Sequence, residues 1–250
     1  MVTGLSAAEI VAYGESLQLL SRQSHRLGDV MRMSEEAAVL MAWYRNNVLH
    51  VFAMPSLVAC AFISNAMMRT GDIQRLAGRI YPYVAAELFL RWSEEELPEV
   101  VVRTLEALGA AGIIESDADG TAWRRPPPAS SQAMQLSLLA QATIQTIERY
   151  YLAIALLLQA GTGQITQKAL EERCQLMAQR ITMLYRFNSP EFFDRTLFGN
   201  FIDLLRERGV VRSGVGGVLE FDEVLPRVAA DAQMVLSEQI RHSILQVTHL

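Results

Sequence analysis

Three consecutive prolines, Pro126 to Pro128, sit near the middle of the chain within the stretch TAWRRPPPASS (residues 121–131). A proline ring fixes φ and removes the amide donor, so a run of three can continue neither a helix nor a sheet ladder. The stretch therefore reads as an extended linker over 126–131. It divides the chain into a first half, 1–125, and a second half, 132–250.

The two halves carry the same order of signals. The first contains RWSEEELPEVVVRTLEALGAAGIIESDADGTAW and the second RFNSPEFFDRTLFGNFIDLLRERGVVRSGVGGVLEF. Each opens with Arg-aromatic (Arg91-Trp92, Arg186-Phe187) and a helix-capping residue (Ser93; Asn188 or Ser189). An amphipathic helix follows, then Gly112-Ile113-Ile114 or Gly209-Val210-Val211. Glycine ends a helix because it takes the left-handed conformation without a Cβ clash. The β-branched pair then favours a strand, and Asp119-Gly120 or Gly216-Gly217 favours a hairpin turn. Helix, strand, turn, strand is the layout of a winged-helix unit, preceded in each half by a long helical stretch (34–54 and 132–159). The expectation is a mainly α fold: a helical bundle with two winged-helix-like units, each with a short β-hairpin wing, related by an internal duplication with a period of about 97 residues.

The best-marked helix lies in the first half. Ala37, Leu40, Met41, Tyr44, Val48, Val51 and Phe52 recur at steps of three and four, one face of a helix. Ser34 is its expected N-cap, Glu35 and Glu36 suit the positive end of the helix dipole, and Pro55 should end or kink it. The apolar run Val48–Ile63 is broken by His50, Pro55 and Ser56 and falls short of the ~20 residues that span a bilayer core. It reads as a core helix. The competing reading is an interfacial helix, with Phe52, Met54, Phe62, Met67 and Met68 facing acyl chains. Tyr150–Leu158 is shorter still, so no transmembrane helix is expected. MVTGLSAAEI lacks the basic start and apolar stretch of a signal peptide.

Hydrophobic residues form 51% of the chain and charged residues 20%, which places it among globular proteins, and its net charge is −5. That balance argues against nonspecific binding to phosphate backbones. The helix that would enter a DNA groove, roughly Glu95 to Leu108, carries Glu95, Glu96, Glu99 and Glu106 against Arg103, where base and phosphate contacts call for Arg, Lys, Asn or Gln. In the second half Arg195, Arg206 and Arg208 are balanced by Glu191, Asp194, Asp203 and Glu207. No nucleic-acid partner is expected.

Catalytic signals are sparse. The histidines are His25, His50, His242 and His249; there is no G-x-S-x-G elbow, and no Ser or Cys stands in a context that suggests activation by one of them. Ser213-Gly214-Val215-Gly216-Gly217 lacks the Lys-Ser/Thr of a P-loop. Cys60 and Cys174 lie among apolar residues and read as buried structural thiols. No metal-ligand spacing is present, and no cofactor is expected. The most unusual stretch is Trp43–His50. On a helix Trp43, Asn46, Asn47 and His50 share one face, with Arg45 off it and able to reach an anionic partner. This face is the candidate ligand or domain-contact site: a polar ligand could bind there, or the groups could form a satisfied hydrogen-bond network at a contact.

Two segments resemble a known family. WYRNNVLHVFAMPSLV (residues 43–58) resembles the YYRNN-x-LH-x-F-x-x-PSL segment of bacterial membrane-type glycerol-3-phosphate acyltransferases. IYPYVAAELFLRW (residues 80–92) is similar to their IYP…AELFLRW segment, with the acidic EEELP following. The resemblance implies the first step of phospholipid synthesis: acyl transfer from acyl carrier protein or coenzyme A to the 1-hydroxyl of sn-glycerol 3-phosphate, at the cytoplasmic face of the bacterial inner membrane. The family's catalytic domain uses a His-x4-Asp motif whose His acts as general base. No His here is followed by Asp five positions later; Asp29 is four after His25. No catalytic residue is therefore carried over.

The expectation is a non-catalytic C-terminal region that supports the catalytic domain of the same enzyme, shapes its substrate site, or docks to acyl carrier protein or, peripherally, to the membrane surface. The rival is a stand-alone helical protein-interaction module that has lost the enzyme.

Overall fold

The computed structural model describes residues 4–185 and 194–248. The chain is mainly helical, with short antiparallel strand pairs, and divides into two compact units, Met1–Val48 and Leu49–Leu250. The expected helix start at Arg186-Phe187 with Asn188 or Ser189, together with Glu191 and His249, lies outside the described residues.

The smaller unit begins with α1 (Ala7–Ser16), closed by a capping box: the Ser6 hydroxyl accepts from the Glu9 amide at 3.3 Å, and the Glu9 carboxylate accepts from the Ser6 amide at 2.7 Å. A hairpin of β1 (Ser21–Gln23) and β2 (Val30–Arg32) follows, with Arg22 bonded to Glu15 of α1 at 3.0 Å. The Ser34 hydroxyl accepts from the Ala37 amide at 3.1 Å, the cap expected for α2 (Glu35–Ala61). Of the two outcomes expected at Pro55, an end or a kink, the end does not occur: the helix continues through it to Ala61. Proline removes one intrahelical bond, and the turns around it are held by burial of Ala53, Met54, Leu57 and Val58.

The larger unit contains the last turns of α2, β3 (Met67–Arg69), α3 (Thr70–Leu88), α4 (Leu97–Ala110), β4 (Glu115–Ser116) and β5 (Ala122–Arg124). The strands form one sheet in the order β3-β5-β4. Ser93 does not cap α4: its amide donates to the Glu96 carboxylate at 2.7 Å in a turn, and the helix starts at Leu97. Gly112 ends it at φ +69°, the left-handed stop read from the sequence. The Ile113-Ile114 pair lies before the ladder instead of in it, and Ile114 is buried in the core.

After the prolines comes α5 (Ser131–Ala160), buried almost all round from Thr143 to Leu157, as a helix at the centre of a core must be. Then α6 (Gln167–Tyr185) and α7 (Arg195–Glu207) lead to a hairpin of β6 (Val211–Ser213) and β7 (Leu219–Phe221), and to α8 (Val224–Val235) and α9 (Glu238–Thr248). Gly209 has φ +70°, and Gly216 and Gly217 turn the hairpin at φ +74° and +76°. An isolated antiparallel bridge, Thr166 to Val218, adds a third strand's worth of pairing beside this hairpin. Strand or bridge, helix, helix, strand, strand thus occurs twice in the same order. No helix among the described residues is long and apolar enough to cross a membrane. Met54, Phe62 and Met68 are buried in the core, Phe52 is half-buried and Met67 exposed, so the core-helix reading holds for the part of Val48–Ile63 from Ala53 onward, while Val48 and Val51 are exposed.

Candidate functional site

Helix α2 carries all five residues singled out from the sequence. Trp43, Arg45, Asn46 and Asn47 are exposed, and so is His50 further along the helix. Several of their contacts are within α2. The Arg45 guanidinium donates to the Asn46 side-chain oxygen at 3.3 and 3.1 Å, the Asn47 amide donates to the Trp43 carbonyl at 3.2 Å, and the Trp43 and Tyr44 rings meet edge to face at 5.3 Å.

The apolar stripe read from α2 is largely not a core face. Ala37 is buried, but Leu40, Tyr44, Val48 and Val51 are exposed, and Val39 and Trp43 widen the patch. Periodicity shows that a face is apolar; burial requires something packed against it. Within the smaller unit, Leu40, Trp43, Tyr44 and Val48 form a cluster of exposed large apolar side chains on one helix, the kind of patch that marks an interaction surface.

The same segment becomes structural one turn later. Ser56, fully buried, bonds the Thr143 hydroxyl at 2.8 Å and the Ala140 carbonyl at 3.1 Å, and accepts from the Thr143 amide at 3.0 Å. It locks α2 to α5. Cys60 lies beside the same turn, buried and free, with its thiol pushed up to about 12 by burial; Cys174 is buried likewise and its thiol is also raised. Neither is an activated nucleophile, because activation needs the opposite shift.

A second polar cluster lies inside the larger unit. The Glu87 carboxylate, on α3, accepts from Arg149 at 2.5 Å, from the Tyr150 hydroxyl at 2.7 Å and from the Thr146 hydroxyl at 3.1 Å, all on α5. The Tyr150 hydroxyl is also 3.1 Å from the Tyr83 carbonyl, and burial beside Glu87 holds its proton on well above the usual tyrosine range. A buried ion pair of this kind orients two helices, although the Arg149 Nε itself has no hydrogen-bond partner among the described residues. Tyr81 ties the end of α3 to the next loop through the Trp92 carbonyl at 2.8 Å.

Sequence reasoning missed Ser56, Glu87 and Arg149. The available signal was Glu148-Arg149 in the middle of an otherwise apolar helix, where a charge must find a partner. Glu148 is the exception: it is buried, one carboxylate oxygen has no hydrogen-bond partner among the described residues, and burial lifts its carboxyl to about 8.

The comparisons with known proteins follow the same segments. Residues 1–214 match the family profile described as the glycerol-3-phosphate acyltransferase C-terminal region. The chain is similar to a glycerol-3-phosphate acyltransferase of Pseudomonas aeruginosa (strain UCBPP-PA14), 44% identical over 239 residues, covering 95% of this chain and 28% of the relative. It is also similar to proteins of the same name in Ectopseudomonas mendocina (strain ymp), at 42% over 96% of the chain and 29% of the relative, and Pseudomonas putida, at 41% over 95% of the chain and 29% of the relative. The chain thus spans under a third of the length of these relatives.

Proposed function

Because this chain belongs to the family of glycerol-3-phosphate acyltransferase C-terminal regions, we propose that it is the non-catalytic C-terminal part of an acyltransferase that uses glycerol 3-phosphate and acts in phospholipid synthesis. The observation that carries this reading is the exposed apolar face that α2 presents within the smaller unit, Leu40, Trp43, Tyr44 and Val48, in a chain that covers 28% of its relative's length. The catalytic part of the same enzyme is the partner this face fits, with Arg45, Asn46, Asn47 and His50 as the polar rim of that contact. Within the larger unit, Ser56 ties the last turns of α2 to α5. The layout is two winged-helix-like units from an internal duplication, joined at residues 126–131. A peripheral place at the inner membrane and contact with acyl carrier protein belong to the same reading, through the resemblance and not through any group seen here.

The test is acyl transfer from acyl-CoA to radiolabelled glycerol 3-phosphate. It is run on this chain alone, on the separately made catalytic part of a relative, and on the mixture. Activity is expected in the mixture only. Turnover by this chain alone, or full activity of the catalytic part without it, overturns the proposal. Arg45→Ala and His50→Ala each reduce activity or assembly of the mixture; unchanged kinetics in both removes the polar rim from the reading.

A further inference from the structure

A cleft of about 550 Å³ opens among α3, α5, α7 and α8. Its volume falls in the range that holds small molecules, roughly 300–1,000 Å³. Its inner wall is apolar, formed by Ile147 and Ile154 of α5, Phe201 of α7 and Val228 of α8. Phe201 is held in place between Tyr150, stacked at 4.1 Å, and Tyr83, edge-on at 5.7 Å. Three arginines line the same cleft: Arg79, Arg208 and Arg227.

The arginines are not equally engaged. Arg79 bonds Asp231 at 2.7 Å, and Asp231 is only 15% exposed, so this pair is a fixed part of the wall. Arg208 pairs with Glu94, which is 58% exposed, and Arg227 pairs at 3.5 Å with Glu223, which is 91% exposed. An exposed pair such as Arg227–Glu223 is worth about 0–1 kcal/mol, so an incoming anion that replaces Glu223 gives up little; Arg208, 27% exposed and 5.8 Å over the Tyr83 ring, is held in position at the cleft. Guanidinium forks suit phosphate and carboxylate equally well. An apolar wall with two guanidinium groups beside it, Arg208 fixed in position and Arg227 weakly held, matches a molecule with the same two halves.

We propose that this cleft binds a single-chain anionic amphiphile, its chain against Ile147, Ile154, Phe201 and Val228 and its phosphate or carboxylate head on Arg208 and Arg227. The site stands apart from the docking role proposed above, since it is complete within this chain and is tested on it alone. The experiment is calorimetric titration of the 250-residue chain with decyl phosphate, decanoate and decanol, below their aggregation concentrations. Saturable 1:1 binding of one or both anions is expected, and the tighter anion names the head group. Arg208→Gln and Arg227→Gln should each weaken anion binding tenfold or more and leave decanol binding unchanged. Because the Arg227 side chain is 76% exposed, its loss of binding cannot be assigned to unfolding. Val228→Trp, which fills the apolar wall, should weaken all three ligands. No saturable binding, decanol binding as tight as both anions, or anion affinity unchanged in both arginine variants would each overturn the proposal.

Discussion

Glu148 shows how a single buried group governs the pH response of this protein. Its carboxyl is lifted from the ordinary range to about 8 by burial alone. The folded chain therefore holds that proton where the unfolded chain has lost it, and protonation favours folding. The contribution is whole below the ordinary carboxylate range and is lost as pH rises through about 8. Between those limits the loss is on the order of a few kcal/mol. Glu148→Gln keeps the shape without the charge, so its thermal midpoint should fall less than the parent's between pH 5 and pH 8 and exceed it at pH 8. Equal slopes would mean that the carboxylate finds a partner at high pH. The Glu87–Arg149 pair behaves differently, because both members are present and bonded. Glu87→Ala should destabilise the chain by about 3–5 kcal/mol, since it leaves the Arg149 charge buried without this carboxylate. Adding Arg149→Met should recover part of that, as read by urea denaturation.

At the level of elements, the helices differ in what their glycines allow. A Cβ at Gly109 of α4 would sit 2.7 Å from the Trp123 ring, whereas one at Gly78 of α3 meets nothing within 4 Å. Alanine is the better helix former at both positions. Gly78→Ala should therefore stabilise by about 0.5–1 kcal/mol, and Gly109→Ala should destabilise by about 1–3 kcal/mol because α4 and β5 must move apart. Paired denaturation curves decide this, and a gain at both positions would mean that the Trp123 ring yields freely. Helix α2 makes the complementary point. Its N-cap at Ser34 was legible in the sequence, its passage through Pro55 was not, and the reason is packing: Ser56 and its neighbours are buried against α5 strongly enough to carry the helix past a missing bond. The stops at Gly112 and Gly209 and the turn at Gly216-Gly217 were legible because a positive φ is a local demand that glycine meets by itself.

At the level of the whole molecule, the exposed face of α2 makes a prediction that separates stability from function. Tyr44→Asp with Val48→Asp should leave the thermal midpoint of this chain nearly unchanged, because both side chains are already about half exposed. The same pair should abolish restoration of acyl transfer in the mixed assay; full restoration would remove the α2 face as the docking surface. The candidate residues Trp43, Arg45, Asn46, Asn47 and His50 could be found by their composition and by the family resemblance. Their exposure could not, because a helical period shows that a face is apolar without showing what covers it. By itself the sequence determined the helical class, the helix stops at Gly112 and Gly209, the turns of the two later hairpins and the family, each written in neighbouring residues and short-range backbone preference. Only the tertiary structure decided that Met54 and Phe62 enter the core while Tyr44 and Val48 do not, and that Glu87 meets Arg149 across 62 residues of chain. Burial and ion pairing depend on which distant segment arrives, and that is settled by the packing of the whole chain.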